Sequence, residues 1–175
     1  NLWAQLALKD NARSLAAVDD LLSLNVESRR RTEILLVSAR LHENMKNPSK
    51  SDVIYSGIMN NPAADADLRR EAESRKVQSA IARGPAGLPI LEEYLNDRPQ
   101  GEWAPRAAEV ILSAAVEEKR YADIIRTVDL IQTKLSTVST AARFASAVAR
   151  QALSDTPGAI ADFRKIADLS SPETF

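Results

Sequence analysis

The chain has 175 residues, and its 23 Lys and Arg against 24 Asp and Glu leave a formal charge of −1, so no global field draws it to nucleic acid or an anionic membrane. It has no cysteine, which excludes disulfides, thiolate nucleophiles and cysteine metal sites while leaving bacterial cytoplasm and periplasm equally open. With 45% hydrophobic and 27% charged residues but only five glycines, the balance is globular and favours helix over turn-rich β structure.

In chain order, the first predicted hairpin pairs a short helix over residues 2–9 with a second over 12–24, broken by Asp10 and Asn11, where Asn11 is the candidate cap. A helix over 26–46 follows, with Asn25 as candidate cap and a stripe of Ile34, Val37 or Ser38, and Leu41; Pro48 ends it. Ser49 and Asp52 have capping-box spacing ahead of Val53, Ile54 and Ile58, and Asn61-Pro62 closes that helix. Residues 65–82 form a charge-rich helix, and Gly84-Pro85 separates it from 88–95. The stretch from Asp97 to Gly101 is a loop before a helix over 103–118, and Lys119-Arg120 turns the chain into a helix starting at Tyr121. The last hairpin joins 137–153 to 159–169 through Ser154-Asp155-Thr156-Pro157.

These helices carry one repeated stamp. Ile124, Ile125, Val128 and Ile131 fall at i, i+1, i+4 and i+7, the spacing of one helix face. With Val128 as anchor, the equivalent positions are Leu21, Ile54, Leu91 and Phe163, at intervals of 33, 37, 37 and 35 residues. A period near 35 is the mark of stacked helical hairpins, which bury apolar surface between neighbours instead of around one centre.

No catalytic constellation accompanies the stamp. His42 is the sole histidine, and the acidic pairs Asp19-Asp20, Glu92-Glu93 and Glu117-Glu118 diverge by about 100° on a helix. There is no Gly-rich phosphate loop and no serine with a neighbouring histidine base, so the chain is expected not to be an enzyme and to hold no metal or cofactor. Arg29-Arg30-Arg31 with Arg40, and Arg69-Arg70 with Arg75-Lys76, are the basic concentrations; Glu27, Glu33, Glu71 and Glu73 interleave with them and no aromatics accompany them, which argues against nucleic acid. The longest apolar runs are far shorter than a membrane span, so a soluble product is expected. A chain opening at Asn1 is expected to be a processed protein or a segment of a longer array.

From Leu153 to Ile166 the sequence resembles a tetratricopeptide repeat, in which a small residue opens the second helix, an aromatic follows four later and an apolar residue three after that. Ala159, Phe163 and Ile166 match; Ala17, Leu21 and Leu24, and Gly87, Leu91 and Tyr94, match the same positions more loosely. Lys50 and Ile124 replace the small residue, and the family's usual glycine between the two helices is missing. The resemblance implies an all-α superhelix, a single solenoid over 1–175 of about five helix-turn-helix repeats, with a concave surface that binds a partner protein or peptide along the first helix of each hairpin. Carried over in register, the inward positions are Thr32, Leu35, Ala39 and His42 in the second hairpin, Arg106, Glu109 and Ser113 in the fourth, and Phe144, Val148 and Gln151 in the fifth. Phe144 is the expected anchor. Two other roles stay open at this stage: a structural spacer in a bacterial envelope assembly such as exopolysaccharide export, and an RNA-binding helical repeat. Leu2, Trp3 and Leu6 at one end and Ile166 and Leu169 at the other lead to an expectation of weak end-to-end self-association.

Overall fold

Proline does much of the punctuation in this chain, because its fixed φ suits the first turn of a helix, where its missing N–H costs nothing. The structure, a computed structural model, describes residues 11–134 and 138–169, and among them every regular element is helical. The α-helices are α1 (Asn11–Ser23), α2 (Ser28–Asn44), α3 (Pro48–Met59), α4 (Ala66–Ala82), α5 (Leu88–Asp97), α6 (Ala104–Glu117), α7 (Tyr121–Lys134), α8 (Thr140–Ala152) and α9 (Thr156–Leu169), with a 3-10 turn over Gly84–Gly87. Pro48, Pro89, Pro105 and Pro157 each stand in the first turn of their helix. No helix among the described residues is long and apolar enough to cross a membrane. The predicted helix over 2–9 with Leu2, Trp3 and Leu6, the predicted start at Thr137, and the side chain of Leu169 lie outside the described residues.

The boundaries follow the sequence reading to within a few residues, and the exceptions have local causes. Asn25 caps nothing: α2 begins at Ser28 behind Glu27, without a side-chain cap. Ser49 lies inside α3, since Pro48 already opens that helix, and Ser51 instead donates to the Pro48 carbonyl at 2.9 Å. Ser139 caps α8 by accepting the Ala142 N–H at 3.2 Å, and Asp155 caps α9 by accepting the Gly158 N–H at 3.1 Å.

Four of the turns between helices share one left-handed backbone position. The sequence lacks glycine after α2, α6 and α8, yet Lys46, Lys119 and Ser154 all adopt left-handed φ, near 56°, 55° and 65°. After α4 the same place is held by Gly84, at φ 57°. In the three turns without glycine, two N–H groups then close back on the helix: Asn47 to the His42 carbonyl, Arg120 to Ala115 and Asp155 to Arg150, each 2.8 Å, with Lys46, Lys119 and Ser154 bonding one residue later along the helix. This is the Schellman closure, and it satisfies carbonyls that a helix end leaves unpaired. The four left-handed positions are 38, 35 and 35 residues apart, so the period read from side chains is also written in the backbone.

The chain divides into two compact units, Asn1–Ser79 and Ala80–Phe175, with the division inside α4. In the first, α1 packs on α2 and α2 on α3. Val18, Ile34 and Leu41 form one cluster there, and Leu36, Ala39, Tyr55, Ile58, Leu68 and Ala72 form another that draws in residues of α4. In the second unit α5 packs on α6, α6 on α7, α7 on α8, and α8 on α9. Its core includes Leu91, Ile111, Val128 and the cluster of Ala115, Ile124 and Ala149. Gly87 is buried, and a Cβ there would run into the carbonyl of Ala80.

Candidate functional site: an apolar groove between α6 and α8

Small residues on α6 and α8 decide how those helices sit. Ala107, Ala108, Ala114 and Ala115 of α6, and Ala142, Ala147 and Ala149 of α8, are buried, which lets both helices lie close against their neighbours. Ala115 and Ala149 meet on Ile124 of α7, and Leu112, Tyr121, Ile125 and Ala145 pack around them. Above this cluster a groove of about 760 Å³ opens between α6 and α8.

One wall comes from α6, with Glu109, Leu112, Ser113, Val116 and Glu117; the other comes from α8, with Ala141, Phe144, Ala145 and Val148. Tyr121 and Ile124 form the floor, and Lys119 and Ser139 stand at the ends. Val116, Phe144 and Val148 are large apolar side chains left exposed along it. The Phe144 ring makes an edge-to-face contact with Phe163 of α9, centroids 5.9 Å apart and planes at 70°. That contact holds the ring upright at the lip. Arg106 reaches one turn along α6 to Glu109 of the wall at 2.7 Å, both side chains well exposed.

Four of the nine predicted partner-binding residues, Glu109, Ser113, Phe144 and Val148, therefore share one concavity. Arg106 joins it through its ion pair, and Gln151 stands exposed near the end of α8, outside the lining. The three predicted on α2 are placed elsewhere. Thr32 and His42 are buried and Leu35 is half-buried against the cluster around Tyr55, because α1 and α3 flank α2. Ala39, carried over with them, is fully buried. Thr32 turns its hydroxyl to the Ser28 carbonyl at 3.0 Å. Burial, with a smaller effect from Lys50 and opposition from Asp19, lowers the pKa of His42 below its ordinary value.

The register missed Leu112, Val116, Tyr121 and Ala145, although Leu112 and Val116 stand three residues beyond Glu109 and Ser113 on the same side of α6. It also missed the most connected side chain beside the groove. Arg150 of α8 holds Asp129 of α7 at 2.9 Å, Asp155 of the turn at 3.0 Å and Asp162 of α9 at 3.2 Å. Asp162 is buried and also accepts from Ser146 at 2.8 Å. The Arg150 hydrogen bond, backed by the Gly158 N–H, holds the Asp155 carboxyl below its ordinary range. This guanidinium ties three successive elements under the Phe144 wall.

Part of the basic concentrations of the first unit is already paired. Arg29 pairs with Glu33, Asp65 and Asp67, Arg31 donates to the Leu22 carbonyl at 3.0 Å, and Arg75 lies 3.7 Å from Glu71. No protein-family model matches the chain, and no curated protein or solved structure matches it.

Proposed function

We propose that the protein is a non-catalytic, tetratricopeptide-like helical-repeat scaffold that binds a partner protein or peptide along the groove between α6 and α8. The observation that carries this reading is the open apolar lining itself: Phe144, Val148 and Val116 are exposed above an otherwise closed core cluster. Its length and apolar walls suit a segment of chain that lays down two or three apolar side chains, with Glu109 and Ser113 offering polar contacts at the edge. The period repeated in the left-handed turns supports stacked hairpins, the superhelix of this proposal.

A spacer role in an envelope assembly fits the same helices but gives the groove nothing to do. RNA binding fits less well, since Arg29 and Arg75 already face carboxylates. The test is selection of peptides from a displayed random library on the full chain. Selected peptides should lose about 2 kcal/mol, about thirtyfold, on Phe144→Ala and Val148→Ala, and nothing on Arg30→Ala or Arg70→Ala. Because both groove residues are exposed, the thermal midpoint should hold for Val148→Ala and fall only slightly for Phe144→Ala, which also loses the Phe163 contact. Peptides that bind the groove variants as well as the parent chain would remove the groove from the proposal.

A further inference from the structure

The walls of the groove between α6 and α8 decide what kind of backbone can lie in it. Between the rims, Leu112, Ile124, Ala142, Ala145 and Ala149 bring no side-chain donor or acceptor. The main chains of α6 and α8 are bonded within their own helices, so neither offers a strand edge to an extended segment. An extended chain laid there would turn N–H and C=O groups to apolar side chains, each a lost hydrogen bond, whereas a helix carries its backbone bonds inside itself. The walls are also ruled at helical pitch. Leu112 and Val116 on α6, and Phe144 and Val148 on α8, stand four residues apart, about 6 Å along each axis, the spacing at which a third helix seats its ridges. Both wall helices pack on α7, whose Ile124 lies in the floor, so the opening is a trough with helices on three sides.

Charge distinguishes the two rims. On α6, exposed Glu109 and Glu117 stand eight residues apart, about 12 Å along the axis. Glu109 pairs with Arg106, and Glu117 makes no ion pair among the described residues. On α8 the exposed rim is Thr140, Ala141, Phe144, Val148 and Gln151, with no charge, since Arg150 is turned to Asp129, Asp155 and Asp162. Lys119 lies past the last turn of α6, at one end of the groove. We infer that the groove takes an amphipathic α-helix of a partner protein, with apolar side chains at i, i+3 or i+4, and i+7 against both walls and a Lys or Arg on the flank beside Glu117. This occupant rests on the groove being a binding surface, and it adds the partner's conformation and the side on which the partner is charged. An acidic residue on that flank would face Glu117, and a basic one on the other flank would meet only uncharged side chains.

Selection on the full chain from two displayed libraries of peptides about 16 residues long, roughly four helical turns, tests this. One library spaces its apolar residues at the helical period and the other alternates them, and in both the flanking positions are drawn from Lys, Glu and Gln. Binders should come from the helical library and carry Lys on one flank. Glu117→Lys, at an exposed position where circular dichroism should show the helices intact, should turn the preference on that flank from Lys to Glu, by about three- to tenfold at low salt. Binders from the alternating library that weaken on Phe144→Ala overturn the helical occupant and leave the groove standing. A flank preference that Glu117→Lys does not move overturns the charge assigned to the partner. Binders from either library that ignore both Phe144→Ala and Val148→Ala remove the groove itself, and this occupant with it.

Discussion

Ile124 and Ile125 are neighbours in sequence with different surroundings, and truncating each to alanine separates full burial from partial burial. Ile124 sits in the cluster with Ala115 and Ala149 at 3% exposure, so Ile124→Ala should cost roughly 2 to 5 kcal/mol in a urea melt. Ile125 is half-buried at the edge of the same cluster and should cost clearly less. Arg126, with a side chain 63% exposed, should be nearly silent as Arg126→Ala. The periodicity placed both isoleucines inside; it could not rank them, since that depends on where α8 lies across α7. His42 supplies a prediction in pH. Its folded pKa is below the ordinary value of 6.5, so the folded state resists the proton that the unfolded chain accepts. The associated stability is present above 6.5 and is lost as pH falls from there through the folded value. Between about pH 7.5 and 5.5 the urea midpoint should fall, and His42→Gln should flatten that slope. An unchanged slope in the variant would show that His42 does not carry the effect.

For the helices, the turns hold the most accessible prediction. A left-handed residue with a Cβ costs about 1 to 2 kcal/mol, and glycine relieves that while giving back part of it as unfolded-chain entropy. Lys46→Gly and Ser154→Gly should each raise stability by about 0.5 to 1 kcal/mol. A lower thermal midpoint would mean that the side chains contribute something the Schellman bonds do not. Most of the helix boundaries could be read in sequence because proline, glycine and cap residues act locally. The repeated turn could not, since Lys46, Lys119 and Ser154 carry no mark of a left-handed backbone. Only part of the groove was legible, for the same reason that the α2 set misled: register says which positions share a face, but only the neighbours decide whether that face is covered. The Arg150 clamp was invisible because its partners lie 21, five and 12 residues away. Arg150→Ala leaves the buried Asp162 carboxylate with the Ser146 hydroxyl but no cation and should cost about 3 kcal/mol; adding Asp162→Asn should recover part of the loss.

At the scale of the whole molecule, near balance of charge makes a prediction about salt. A partner held by Phe144 and Val148 should bind almost equally at about 50 and 200 mM salt, whereas an RNA ligand neutralised by several arginines would lose orders of magnitude over that range. Steep salt dependence that disappears with Arg29→Ala would replace the groove with the basic face of the first unit. Within the second unit the Phe144 ring that lines the groove also meets Phe163 of α9 edge to face. Such pairs are worth about 0.5 to 1.5 kcal/mol, so a groove occupant that shifts the Phe144 ring acts on the seating of α9 by at most roughly two- to twelvefold. Linkage makes the effect reciprocal: whatever steadies α9 against α8 must tighten a groove peptide by the same factor.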